Sequence, residues 1–314
     1  MAKFAIAVHG GAGTILRSVI TKEKEVEFKA ALLTAVTTGE KILADGGSSL
    51  DAVEAAVRSM EDDPLFNAGK GSVFNHEGKH EMDACICYGK DLSAGAITGV
   101  RNVKNPIILA RAVMEKTGHV FLSNQGAVQF AQEMNIKFEP DEYFFTQHRY
   151  DQWLSARETD HVILDHTAET IENIDKKFGT VGAVAMDVHG NLAAATSTGG
   201  MTNKRWGRIG DSPMIGAGTY ANNKTCAISC TGHGEFFIRS VVAYDISCLM
   251  EYRGLSLKDA CTIVVHDKLI KIGGEGGLVA VDGEGNIEMP FNSAGMYRAM
   301  KKDGESPLVM IYKD

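Results

Sequence analysis

Residues 178–187 read Phe178-Gly179-Thr180-Val181-Gly182-Ala183-Val184-Ala185-Met186-Asp187. A glycine and a threonine stand at the mouth of an apolar run with the character of a β-strand. A strand needs no such pair at its entrance, but a nucleophile that must later become a chain terminus does. A hydroxyl is a weak nucleophile until a base takes its proton. The neatest base for a threonine is its own α-amine, with a reference pKa of about 7.7–8.0. In an intact chain Thr180 has only an amide nitrogen, so this chemistry requires cleavage between Gly179 and Thr180. Gly179 suits that step, because it tolerates unusual backbone angles and leaves its carbonyl open to the hydroxyl. Taken alone, Gly-Thr before a strand is ordinary, and the rest of the chain has to decide.

Downstream, Thr180–Asp187 and Leu192–Ser197 read as two strands joined by Val188-His189-Gly190-Asn191, a hairpin turn. In "AATSTGGMTNKRWGRIGDSP" (194–213), strand alternation puts Thr196 and Thr198 on one side and Ser197 on the other. The hairpin then brings Thr198 toward Thr180, although β-propensity alone accounts for any single threonine there. Arg208 and Asp211 stand in a glycine-bounded turn. An arginine fork fits a carboxylate and an aspartate fits an ammonium, so together they suit an amino-acid zwitterion; the alternative is a local surface ion pair. "SCTGHGE" (229–235) offers Thr231 and Gly232 as an oxyanion hole, or else a plain glycine turn before a helix. His233 reads as a general base or as a locally bonded turn residue.

Upstream, Phe4–Val8 is a short strand entering the glycine loop His9-Gly10-Gly11-Ala12-Gly13. Thr21 caps a helix carrying Phe28, Leu32, Ala35, Ile42 and Leu43, which Gly46-Gly47 stops. Ser48 and Asp51 start a second helix with Val53, Val57 and Met60, ending before Pro64. "LFNAGKGSVFNHEGKHEMDACICYG" (65–89) reads as a loop and then two short strands around His76-Glu77-Gly78. A strand over Ala94–Val100 and helices from Pro106 to about Lys116 and from about Gln125 to Met134 follow. Residues 138–177 lose apolar periodicity and hold no glycine, which predicts a poorly packed linker with some helical tendency. Past the hairpin come a strand over Thr225–Thr231 and helices over Glu235–Tyr252 and Leu257–Lys271, the second capped by Ser256 with Asp259. The segments 183–201 and 278–296 align without gaps, as one hairpin form used twice.

The chain has 314 residues, 44% hydrophobic and 23% charged, with a net charge of -8. An acidic balance argues against nucleic acid as the main partner. No run approaches the roughly 20 apolar residues that span a bilayer, and the N-terminus reads as a strand and turn rather than a leader. A cytoplasmic protein is expected, with its six cysteines reduced and mostly buried. Nothing demands a catalytic cofactor.

Five motifs in order, HGGAG, "PLFNAGKGSVF", "GTVGAVAMDVHGNLAAATSTGGMTNK", "GRIGDSPMIGAGTYAN" and "TGHGEFFIR", resemble the plant-type L-asparaginase and isoaspartyl peptidase family of N-terminal nucleophile hydrolases. The resemblance covers nearly the whole chain and is weakest across the linker. It implies an α+β fold, a four-layer αββα sandwich, as one domain over 1–314. Self-cleavage would give an α subunit, 1–179, with the linker of about 139–179 at its end, and a β subunit, 180–314. These would assemble as (αβ)2. It implies Thr180 as nucleophile, Thr198 as tuner of its hydroxyl, Thr231 and Gly232 at the oxyanion, and Asn67 on the Thr180 amine. Arg208 would hold the substrate α-carboxylate, and Asp211 and the Gly234 carbonyl its α-ammonium. The backbone carbonyls of Met60, Glu61, Asp63, Phe66, Ala68 and Lys70 would bind a structural sodium ion. The implied substrates are isoaspartyl dipeptides and L-asparagine. Glycosylasparaginase and taspase activities are rivals within the family. A protein that binds phosphate at HGGAG is the rival outside it, disfavoured because no GxGxxG or GxxxxGK[ST] pattern stands in context.

Overall fold

In the computed structural model, which describes residues 4–18, 20–158 and 179–313, the Gly179–Thr180 junction opens a central strand of an eight-stranded sheet. That strand, β5 (Val181–Met186), lies between β1 (Ala5–Gly13) and β6 (Leu192–Thr198). The sheet continues through β2 (Met82–Tyr88), β3 (Ser93–Val100) and β4 (Phe121–Ser123). On the far side of β1 it carries β11 (Gly295–Lys302) and β12 (Leu308–Tyr312). Among the described strand pairs, only β3 and β4 run parallel. A second sheet holds β7 (Thr219–Ala221), β8 (Cys226–Gly232), β9 (Gly276–Asp282) and β10 (Ile287–Glu288). The chain is α+β.

Three apolar clusters follow from strand alternation. Ile6 and Val8 of β1 join one cluster with Leu32 of α1 (Lys22–Ala44) and Val53 of α2 (Ser49–Glu61), which extends across the sheet to Ile107 of α3 (Pro106–Lys116). Ala5 and Ala7, one residue out of phase, face the second sheet, where Val279 and Val281 join them. The other face of that sheet, through Leu278 and Ala280, packs on α7 (Gly234–Ser240), α8 (Val242–Arg253) and α9 (Leu257–Ile263) by way of Phe237, Ile246 and Leu257. Each face is buried because its alternate residues are apolar.

The caps stand where the sequence puts them. Thr21 accepts from the Lys24 amide, Ser48 from Asp51, and Ser256 from Asp259. The repeated hairpin is also real, but its two copies lie in different sheets. Asp187 accepts from the amides of His189 and Asn191, and Asp282 from those of Glu284 and Asn286. Gly190 and Gly285 take φ of 77° and 80°, the left-handed region that glycine enters freely.

Four expectations need correction. HGGAG is not a loop: β1 runs through it with a bulge between His9 and Gly11, and a side chain on Gly10 would strike the Phe66 ring. The glycines serve packing, and no helix begins there to cradle a phosphate. Only one strand follows the 65–81 loop; His76–Gly78 is a turn closed by the Asn75 amide on the Lys79 carbonyl. The helix expected over Glu235–Tyr252 breaks at Val241, with φ 49°. The front of the expected linker is packed. It forms α5 (Asp141–Phe144) and α6 (Gln147–Glu158), after α4 (Asn124–Glu133), and buries Phe144, Arg149, Trp153 and Ala156. The rest of that linker, 159–178, lies outside the described residues.

The two sheets meet closely beneath the junction. A methyl group on Gly182 would stand 1.9 Å from Ser229 Oγ and 2.4 Å from His9 Nε2. Those two atoms bond each other at 2.9 Å in a fully buried position. Gly182→Ala must therefore push the sheets apart or break that bond. We expect thermal melts to report a loss of about 1–3 kcal/mol.

Candidate active site

The β5–β6 ladder pairs Val181 with Ser197, which sets Thr180 opposite Thr198 at the strand ends. The Thr180 hydroxyl donates to Thr198 Oγ1 at 3.2 Å. Thr198 is buried and Thr180 half-buried, so the pair sits at the floor of an opening. Thr198 Oγ1 also accepts from the Gly200 amide at 2.9 Å, which fixes its orientation. Thr196 and Ser197 point to opposite faces, as alternation requires. Thr196 bonds Ser229 at 2.7 Å between the sheets, and Ser197 donates to Glu61 at 2.6 Å on the helix side.

A narrow cleft gathers the expected residues. Asn67, Gly179, Thr180, Thr198, Arg208, Asp211, Thr231 and Gly232 all line it, though they come from four separated parts of the chain. Gly200, Met201, Gly210 and Ser212 complete the wall. Gly234 stands just behind, where a methyl group would be 2.9 Å from Arg208 Nη2 and from Asp211 Oδ1. Thr231 Oγ1 accepts from the Ala12 amide at 3.3 Å, tying the wall to β1.

Asn67 has more work than the sequence reading gave it. Its Nδ2 donates to the Gly200 carbonyl at 2.7 Å, and its Oδ1 accepts from the Val73 amide at 2.9 Å. Its own carbonyl accepts from Gly199. A side chain on Gly179 or Gly199 would collide with it, at 2.3 and 2.4 Å. Asn67 thus clamps the residues on both sides of the threonine pair.

The alternative of an Arg208–Asp211 surface ion pair does not hold. Arg208 is bonded through two nitrogens to Glu235, at 2.9 Å each. Asp211 is buried, and its Oδ2 has no hydrogen-bond partner among the described residues. Burial pushes its carboxyl up to about 7, against the pull of Arg208. An unpartnered buried carboxylate facing a cleft is poised to accept a cationic group. Sequence reasoning missed Glu235 as the arginine's partner; its place in the first turn of α7, beside the glycines, was the only hint. His233 packs edge-on against Phe236, 4.5 Å between centroids, and burial lowers its pKa. It does not line the cleft.

The proposed cation loop closes the end of α2. Gly69, with φ 52°, tucks under the Glu61 carbonyl, and Gly71 under the carbonyls of Phe66 and Pro64; a methyl at either glycine would come within 2.3 Å of one of these oxygens. The Glu61 side chain turns away, accepts from the Ile107 amide at the start of α3, and is pushed up to about 8 by burial. Lys70 reaches over the Tyr143 ring at 5.4 Å instead of into the loop. Among the described residues no three His, Cys, Asp or Glu side chains group as metal ligands.

Comparison with known proteins agrees with this geometry. The family model described as Asparaginase matches residues 2–311. The chain is 52% identical to the isoaspartyl peptidase of Salmonella typhimurium over 314 residues, covering all of both chains. It is 51% identical to the isoaspartyl peptidase of Escherichia coli, over all of this chain and 98% of that one. It is 43% identical to the isoaspartyl peptidase/L-asparaginase of Bos taurus, over 96% of this chain and 94% of that one. With a cleft floored by a Gly-Thr junction and walled by an arginine and a buried aspartate, and with relatives of this identity over the full length, the chain belongs to the asparaginase family of N-terminal nucleophile hydrolases.

Proposed function

We propose that this chain is a self-processing threonine hydrolase that cleaves β-aspartyl amide bonds, with isoaspartyl dipeptides and L-asparagine as substrates and L-aspartate as product. The observation that carries the reading is the Thr180 hydroxyl, bonded to Thr198 at 3.2 Å inside the cleft that Arg208 and Asp211 share. In processing, the Thr180 hydroxyl attacks the Gly179 carbonyl and the peptide C–N bond breaks, leaving an ester. That break already frees the Thr180 amine; water then hydrolyses the ester, which restores the Thr180 hydroxyl and leaves the Gly179 carboxylate. In turnover, the freed amine takes the hydroxyl proton as Oγ1 attacks the β-carbonyl of the substrate. The Thr231 hydroxyl and the Gly232 amide stabilise the oxyanion. The leaving amine departs with the proton, and water releases aspartate from the β-aspartyl ester. Arg208 holds the α-carboxylate, and Asp211 with the Gly234 carbonyl holds the α-ammonium. Asn67 faces the threonine amine once it exists.

The three apolar clusters support a four-layer αββα sandwich, in one domain that cleavage divides into 1–179 and 180–314. We assign the assembly as (αβ)2. Six free cysteines, five of them buried, fit a reducing cytoplasm. No described helix is long and apolar enough to cross a membrane. A glycosylasparaginase- or taspase-like substrate remains the rival within the family, and assays of β-aspartyl-leucine, asparagine and glycosylated asparagine side by side separate them.

We further assign the loop from Met60 to Lys70 to a sodium ion held by backbone carbonyls. The cradle over Gly69 and Gly71 fits a small hard cation, and the C-terminal end of α2 adds its partial negative charge. The ion would brace the loop that carries Asn67 and takes no part in the chemistry.

Three outcomes are expected. Thr180→Ala gives one uncut chain of 33.8 kDa on a denaturing gel and releases no aspartate. A cut, active Thr180→Ala protein refutes the assignment. L-Aspartate binds more tightly as pH rises from 6 to 8. Asp211, raised to about 7 by burial and the facing Glu235 against Arg208, ionises in that window, so below it the carboxyl is neutral. Calorimetry should show that rise in wild type and not in Asp211→Asn. The melting temperature should be higher in sodium chloride than in choline chloride at equal ionic strength.

A further inference from the structure

The Arg208 guanidinium has two edges that can each hold a carboxylate. Its side edge is taken: Nε donates to Glu235 Oε1 and Nη2 to Glu235 Oε2, both at 2.9 Å. Its end edge, Nη1 with the second hydrogen of Nη2, is not used by Glu235, and Arg208 lines the cleft together with Gly210 and Asp211. A methyl group on Gly210 would stand 2.9 Å from Nη1; one on Gly234 would stand 2.9 Å from Nη2 and from Asp211 Oδ1. The two glycines thus make room for the guanidinium itself, and the cleft beside it holds both this cation and the Asp211 carboxylate. Glu235 lies outside the cleft, with its side chain 45% exposed against 19% for Arg208.

We propose that Glu235 is the positioning residue of the substrate-carboxylate site: it grips Arg208 by the side edge and leaves the end edge for a carboxylate in the cleft that Arg208 lines with Asp211. This rests on the proposed assignment of Arg208 to the substrate α-carboxylate. An arginine carries large rotamer entropy, and a side chain ordered in advance need not be ordered when ligand binds. The opposite role, an internal carboxylate that substrate must displace, does not follow from the geometry. A carboxylate on the end edge uses hydrogens that Glu235 does not occupy.

The test uses Glu235→Ala and Glu235→Gln proteins, each first checked for cutting at Gly179–Thr180. kcat and KM are measured with β-aspartyl-leucine and with its analogue carrying an amide in place of the aspartyl α-carboxylate. We expect Glu235→Ala to raise KM for the free acid about tenfold, the order for ordering one long side chain, with kcat near wild type. Glu235→Gln should fall between, since its oxygen still accepts from Nε while its amide opposes Nη2. The amide analogue should bind wild type and variants equally weakly. An unchanged or lowered KM overturns the proposal, the latter in favour of a competing carboxylate. A KM that rises alike for both substrates also overturns it, in favour of a structural role. A wild-type enzyme that accepts both substrates equally removes the Arg208 assignment beneath it. One that cleaves neither removes the functional reading itself.

Discussion

Everything at this site depends on the register of β5 against β6. Pairing Val181 with Ser197 leaves Thr180 and Thr198 as the next residues out, hydroxyl to hydroxyl. A slip of one residue would turn Thr198 toward the helix face, where Ser197 now meets Glu61. The register is held from both ends. The Asp187 turn fixes one end through two backbone amides, and Asn67 clamps Gly179, Gly199 and Gly200 at the other. The alanines of both strands let α2 on one face and the second sheet on the other close down on this hairpin.

Small residues do at the site what large ones do in the core. Gly182 lets Ser229 and His9 meet beneath the junction. Gly199 and Gly179 admit Asn67, and Gly210 and Gly234 make room for the Arg208 guanidinium. The charges are set by the same closeness. Asp211 is buried with an unpartnered oxygen, which makes its neutral form common near pH 7 and its ionised form receptive to an ammonium. Arg208 lines the same cleft, with its charge balanced by Glu235.

The hairpin, its turn and the Thr180–Thr198 meeting were legible because they are local: strand period and a glycine turn settle them over some twenty residues. The caps at Thr21, Ser48 and Ser256 were legible for the same reason. The break at Val241 was not. No glycine or proline marks it; instead the Ala243 and Tyr244 amides, freed by the break, bond the carbonyls of Ala217 and Gly216 in a distant loop. HGGAG looked like a loop because its neighbours are invisible in the sequence: the Phe66 ring and the strand β11 fill the space that side chains would take. Residues 138–158 looked unpacked because their burial rests on a few aromatic contacts, such as Trp153 with Phe74, rather than on a repeating stripe. The pairing of Arg208 with Glu235 spans 27 residues and needed the fold to bring α7 alongside the turn.

The central claim is that an amine created by backbone cleavage arms the threonine hydroxyl. Intact-mass analysis of a wild-type sample with measured turnover, combined with N-terminal sequencing, addresses it most directly. The account predicts two fragments, one of which begins at Thr180. A sample that turns over substrate while containing only the full-length chain would contradict it.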